Sequence, residues 1–222
     1  MTINKILIIG GSGLLGSCFK KKFPQKSFSI GRSINNDFII KKNIQETLSN
    51  IANPNDLIIH AAWDINLRNW ESNINLENYF KEFSNDIFEF SNSSKINCIF
   101  ISTDQVYNGK GPHVENKISI PLNKYGKVKL DCEDMALKNN VSVARLNFLS
   151  RDPNNINRGW VENLIKKIRN NEKIILYDNV YFSPCSGYKA AEIIYKLGQK
   201  NYNDKFNIGC IDNFAKSDIA LE

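Results

Sequence analysis

The pentapeptide YGKVK places Tyr125 and Lys129 four residues apart. On a helix that spacing puts both side chains on one face. A free phenol titrates near pH 10 and is a weak acid–base catalyst at neutrality. A neighbouring ammonium favours the phenolate and brings its pKa toward the working range. The same five residues also fit a solvated basic turn, so the pair takes its meaning from its surroundings. A second candidate lies near the N-terminus, where IIGGSGLLGS spaces Gly10, Gly13 and Gly16 as G-x-x-G-x-x-G. Glycines there permit a tight turn and close backbone approach to a pyrophosphate at the N-terminus of the following helix. A turn that serves structure alone is the alternative. Further on, GRSINND carries Arg32 and Ser33 where an acidic residue would bind the adenosine ribose of NAD. An arginine instead suits the 2′-phosphate of NADP, so the expectation leans toward NADPH.

These residues need elements to position them. Short apolar runs alternate with amphipathic stretches along the chain. The expected strands are KILIIG (5–10), SFSIG (27–31), DFIIK (37–41), LIIHAAW (57–63), NCIFIST (97–103) and VSVARLNFL (141–149). Between them the apolar spacing predicts helices through LLGSCFKKKF, IQETLSNI, residues 71–92 and residues 121–140. The last of these would carry Pro121 in its first turn, a favoured position. Strand–helix alternation with continuous apolar strands predicts an α/β fold, a doubly wound parallel sheet covered on both faces. A flavodoxin-like sheet is one such fold. After residue 150 the texture changes to a loop, a helix at 160–170, a strand in KIILYDN (173–179), a helix in SGYKAAEIIYKLGQK, a strand in KFNIG and the start of a helix in KSDIALE. The expected organisation is a dinucleotide-binding domain over 1–150 and a smaller, incomplete substrate lobe over 151–222 that interleaves with it.

Composition bounds the partners. The chain has 222 residues, 42% of them hydrophobic, enough for one well-packed core. Its net charge of +6 and pI near 9.0 suit a partner carrying phosphate, or a solvated surface excess. The basic residues are spread out, with no arginine-rich arm, which argues against nucleic acid. No run of about 20 apolar residues is present, so no membrane span is expected. The N-terminal apolar run breaks into glycines and reads as a strand, not a leader. Five scattered cysteines without C-x-x-C predict reduced thiols in a cytoplasmic protein, and two histidines argue against a metal centre.

The segment STDQVYNGKGPHVENKISIPLNKYGKVKLDCED (102–134) resembles the extended short-chain dehydrogenase/reductases, and most closely the dTDP-4-dehydrorhamnose reductases. It carries their S-T-D-x-V segment, P-x-x-E loop and P-L-N-x-Y-G-x-x-K-L-x-x-E helix. The glycine spacing is that superfamily's as well, and the resemblance runs at lower density to about residue 220. It implies a Rossmann-like fold and NADPH- or NADH-dependent reduction of the 4-keto group of a nucleotide-linked 6-deoxy sugar for surface polysaccharide synthesis. Tyr125 would protonate the developing alkoxide, Lys129 would tune it and hold the nicotinamide ribose, and Thr103 would orient the substrate carbonyl. Ser12, Gly13, Leu14 and Leu15 match the pyrophosphate turn, Asp37 and Phe38 the adenine side, and Ala61, Ala62 and Trp63 the segment beside the cofactor. Asp104, Gln105, Tyr107 and Phe148 match positions facing the substrate. His60 reads as a strand residue with satisfied hydrogen bonds, and Trp160 as lobe packing. The resemblance leaves a homodimer open.

The sequence departs from the family's pattern in three places. Gln105 stands where a tyrosine is usual, Asn147-Phe148 replaces Ser-Trp, and the chain stops early, so the sugar pocket is expected to be incomplete. A nucleotide-sugar epimerase, a dehydratase or another carbonyl reductase of this fold is an alternative. So is a non-catalytic dinucleotide-binding subunit, since the regulatory subunit of methionine adenosyltransferase resembles the same family.

Overall fold

The computed structural model describes residues 2–64, 67–73, 75–109, 111–154 and 159–221. Ile74, expected within a helix, lies outside them, as does the side chain of Phe148. The elements run β1 (Ile6–Ile9), α1 (Leu14–Lys22), β2 (Ser27–Gly31), β3 (Phe38–Ile39), α2 (Ile44–Ile51), β4 (Leu57–His60), α3 (Leu67–Ser72), α4 (Asn75–Ser94) and β5 (Asn97–Thr103). They continue with a 3-10 turn over Asp104–Val106, then α5 (Lys124–Lys138), β6 (Ser142–Leu146), β7 (Phe148–Leu149) and α6 (Trp160–Arg169). The last are β8 (Tyr181–Phe182), β9 (Cys185–Ser186), α7 (Gly187–Gly198), β10 (Lys205–Ile208), β11 (Phe214–Ala215) and α8 (Lys216–Leu221).

Seven strands form one sheet in the order β10-β6-β5-β4-β1-β2-β3, and every pairing in it is parallel. β1, β4 and β6 are buried along their whole length, so they read as apolar runs broken only at His60 and at Ser142 and Arg145. One core, built around Leu7, Ile58, Phe88 and Phe100, fills the face covered by α2, α4 and α5. A second, built around Ile8, Ile59, Ala190 and Ile194, fills the face covered by α1 and α7. The sheet is Rossmann-like. Its strand order reverses between β1 and β4, and a doubly wound fold opens its ligand crevice at such a switch point.

Several boundaries differ from expectation. KIILYDN forms no strand: Ile175 and Tyr177 are 74% and 58% exposed, and no neighbouring strand pairs with them. The helix expected over 71–92 is α3 followed by α4. The helix expected from Pro121 begins at Lys124, because Asn123 caps it by accepting the Gly126 N–H at 2.7 Å. The strand expected over 141–149 is two, β6 in the main sheet and β7 paired with β9. Within 151–222, β10 joins the main sheet beside β6 and α7 packs on α1. All five cysteines are free thiols. Among the described residues no helix is long and apolar enough to cross a membrane, and no three His, Cys, Asp or Glu side chains cluster as metal ligands.

Candidate active site

The glycine turn follows β1 directly. Gly10 takes a φ of +88°, and a Cβ there would lie 2.6 Å from the backbone nitrogen of Ala62, so only glycine fits. Gly13 is the N-cap of α1 and no side chain caps that end, which leaves the positive end of the helix for an anion. Gly16 lies against the Gly11 backbone, letting the helix pack closely on its own turn.

Above the turn is a cavity of about 420 Å³. Gly10, Ser12 and Gly13 form its floor, Arg32 and Ser33 one wall, and Ala61, Ala62 and Trp63 another. These eight were expected from the sequence. Leu14, Leu15 and Gly16 do not line it: Leu15 sits in the core beneath and Gly16 packs on Gly11. Asp37 and Phe38 are not brought to it either. The Asp37 carboxylate accepts from Lys20 Nζ at 2.8 Å and from the Ser29 amide and hydroxyl at 2.7 and 2.8 Å, while Phe38 packs on Phe28. Burial raises the Asp37 pKa, but those bonds outweigh it and hold the carboxyl below its ordinary value. Gly31, Asn36, Ile40, Tyr79, Phe80 and Phe83 also line the cavity and were not expected. The three aromatics recur at helical spacing on α4, a pattern indistinguishable in sequence from core packing.

Tyr125 and Lys129 share a face of α5, as their spacing requires, but their environments differ from expectation. Tyr125 is 9% exposed and lies beside Thr103 at the C-terminal end of β5. Burial, and then the charge of Asp104, push its pKa above the ordinary phenol value, against a smaller opposing effect of Thr103. Lys129 is 3% exposed: its Nζ donates to the Ile101 carbonyl at 2.6 Å and lies 3.8 Å from the Trp63 ring centroid and 4.5 Å from that of Phe100. Burial lowers its pKa to about 7. The expected depression of the phenol by the lysine is therefore absent from this arrangement. Trp63 touches both groups: its indole borders the cavity, covers Lys129 and meets the Tyr125 ring edge-on at 6.5 Å. Neither Tyr125 nor Lys129 lines the cavity.

Asp104 accepts from Thr103 Oγ1 at 3.2 Å and from Asn147 Nδ2 at 2.8 Å, and burial raises its pKa. Gln105 is exposed, its Oε1 accepting from Asn123 Nδ2 at 2.9 Å. Tyr107 is not free to meet a substrate through its hydroxyl, which accepts from Arg145 at 2.6 Å and donates to Asn207 at 2.9 Å. Arg145, 2% exposed, also forms a two-pronged ion pair with Glu133, which in turn accepts from Ser102. Sequence reasoning passed over Arg145, a lone cation in an apolar strand facing a glutamate from α5. His60 is buried beside this region: its Nε2 bonds Ser84 at 2.9 Å, and burial, then the nearby Lys129, hold its pKa well below the ordinary value.

Residues 4–213 match the RmlD substrate binding domain family. The chain belongs to that family. Among curated relatives, this RmlD-family chain is 30% identical over 194 residues to methionine adenosyltransferase 2 subunit beta of Xenopus laevis, the match covering 81% of the chain. The chain spans about half the length of that relative, 53%. Its fold superposes on dTDP-4-dehydrorhamnose reductase from Bacillus anthracis in complex with NADP, with a TM-score of 0.81 at 18% identity, covering 99% of this chain and 79% of the other. It superposes equally on the Bordetella bronchiseptica enzyme WbmG in complex with NAD and UDP, with a TM-score of 0.81 at 15% identity, covering 99% and 77%.

Proposed function

We propose that the chain is a dinucleotide-dependent reductase of the keto group of a nucleotide-linked 6-deoxy sugar. The observation that carries this reading is that α5 and the C-terminal end of β5 bring the buried Tyr125 phenol beside the Thr103 hydroxyl, where burial raises the phenol's pKa. Reduction of a ketone needs a proton donor at the nascent alkoxide, and a raised pKa keeps Tyr125 loaded for that role. Thr103 supplies the hydroxyl that aligns the carbonyl oxygen. The cavity fits the adenosine and pyrophosphate half of a nicotinamide dinucleotide, because a Cβ at Gly10 would close the turn and the N-terminus of α1 carries no side-chain cap. Such a cofactor would supply the hydride. Gly10, Ser12 and Gly13 would hold its pyrophosphate, with Ala62 and Trp63 beside it. Lys129 would reach its ribose once the Trp63 indole moves aside.

The test follows absorbance at 340 nm with NADH or NADPH and a dTDP-linked 4-keto-6-deoxy sugar, for wild type and Tyr125→Phe. Turnover by the wild type that falls at least 100-fold in the variant is expected. The second reading is a non-catalytic dinucleotide-binding subunit. It is favoured by the likeness to methionine adenosyltransferase 2 subunit beta and by the covering of Lys129. Tight dinucleotide binding without turnover on any keto sugar would select it.

A further inference from the structure

Asn36 lies between β2 and β3 and is 8% exposed. Its Nδ2 donates to the Ser33 carbonyl at 2.9 Å, which fixes which way round the amide lies. Its Oδ1 is then left buried, without a hydrogen-bond partner among the described residues. Buried carbonyls are nearly always paired, so an orphan calls for a reason. The amide fills the space left by the missing side chain of Gly31: a Cβ there would lie 2.7 Å from Nδ2 and 3.0 Å from Oδ1. That places it at the C-terminal end of β2, on the wall of the cavity above the glycine turn. Trp63 Nε1, also unpartnered among the described residues, belongs to another wall of the same cavity.

In a doubly wound fold the adenosine ribose sits by the end of the second strand, about 20 residues beyond the glycine turn. We propose that Asn36 reads this ribose, its Oδ1 accepting a hydrogen bond from the 2′-hydroxyl, so that the chain takes NADH in preference to NADPH. A 2′-phosphate brings acceptor oxygens and no proton to offer at neutral pH, leaving Oδ1 opposed to like dipoles. Arg32, exposed and with its guanidinium 5.1 Å over the Tyr79 ring, attracts that phosphate and keeps the preference finite. The unpaired carbonyl reverses the lean toward NADPH that Arg32 alone gives.

The inference rests on the dinucleotide reading and is tested by binding alone. Dissociation constants for NADH and NADPH, read from nicotinamide fluorescence, are compared for wild type, Asn36→Ala, Asn36→Asp and Arg32→Ala, with melting curves to confirm folding. The wild type should bind NADH about tenfold more tightly, the size of one hydrogen bond. Asn36→Ala should weaken NADH alone and close that ratio, Asn36→Asp should widen it, and Arg32→Ala should weaken only NADPH. A wild type that favours NADPH overturns the assignment, as does a ratio that neither Asn36 variant moves. Failure of both dinucleotides to bind overturns the dinucleotide reading itself.

Discussion

Lys129 carries a conflict between stability and use. Its ammonium is enclosed by Trp63 and Phe100 with one carbonyl for a partner, and burial brings its pKa from 10.5 to about 7. Between those two values the unfolded chain holds a proton that the folded chain has released. Stability contributed at this site therefore rises with pH across that window, and the penalty is fullest below pH 7. Lys129→Met should accordingly be more stable than wild type in urea melts at pH 6 to 7. Its advantage should shrink by up to about 1.4 kcal/mol per pH unit toward pH 10; parallel curves for the two proteins would refute a buried charge. Tyr125 has the opposite displacement, upward, and so stays protonated through neutrality. Reduction should then show no loss on the acid side of neutrality from this group and should decline only as alkaline pH removes its proton. A kcat profile from pH 6 to 10 reads this. The i, i+4 spacing revealed that the two side chains share a face. It could not reveal that Trp63, 62 residues before Tyr125, covers the lysine, because contact across the sheet leaves no mark in local spacing.

At the scale of elements, α5 is tied to the sheet by one buried cluster. Tyr125, Lys129 and Glu133 follow one another at four-residue steps, so the face that presents the phenol also presents the carboxylate gripped by Arg145 of β6. Arg145 reaches on to Tyr107 and to the Glu115 carbonyl at 3.2 Å, so the pair also pins the loop between β5 and α5. Removing either partner leaves the other charge buried and alone, which costs about 3–5 kcal/mol. Glu133→Gln and Arg145→Met should each destabilise by that order. The double replacement should cost clearly less than the sum of the two, and a double-mutant cycle by urea denaturation measures the coupling. Limited proteolysis of either single variant should cut first within 107–119. The helix itself was legible from its motif, whereas its start was misplaced by three residues because Asn123, not Pro121, sets the cap. KIILYDN failed for a related reason: a short apolar run marks a possible strand, but pairing needs a neighbour that local sequence cannot supply.

For the whole molecule, the question is where the unit that carries the glycine turn ends. Composition changes near residue 150, and that change suggested a boundary. The parallel sheet crosses it: Val143 to Leu146 of β6 pair with Lys205 to Ile208 of β10, and α7 lays Ala190, Ala191 and Ile194 on the core beneath α1. The texture of 151–222 comes from its loops and short strand pairs, while its helix α7 and strand β10 belong to the sheet that holds the glycine turn. Cutting the chain at 150 would therefore leave α1 alone to cover one face and turn β6 into a bare edge, a template for aggregation. A fragment of residues 1–150 should show no cooperative thermal transition and should elute as aggregate on size exclusion. A chain ending at residue 209 keeps both elements and should melt cooperatively, losing only β11 and α8, whose helix has no buried residue. If instead 1–150 folds and binds a dinucleotide, then α7 and β10 are accessories and the cofactor site is autonomous. The packing argues otherwise, because Ile8 of β1, two residues before the glycine turn, shares its core with Ile194 of α7.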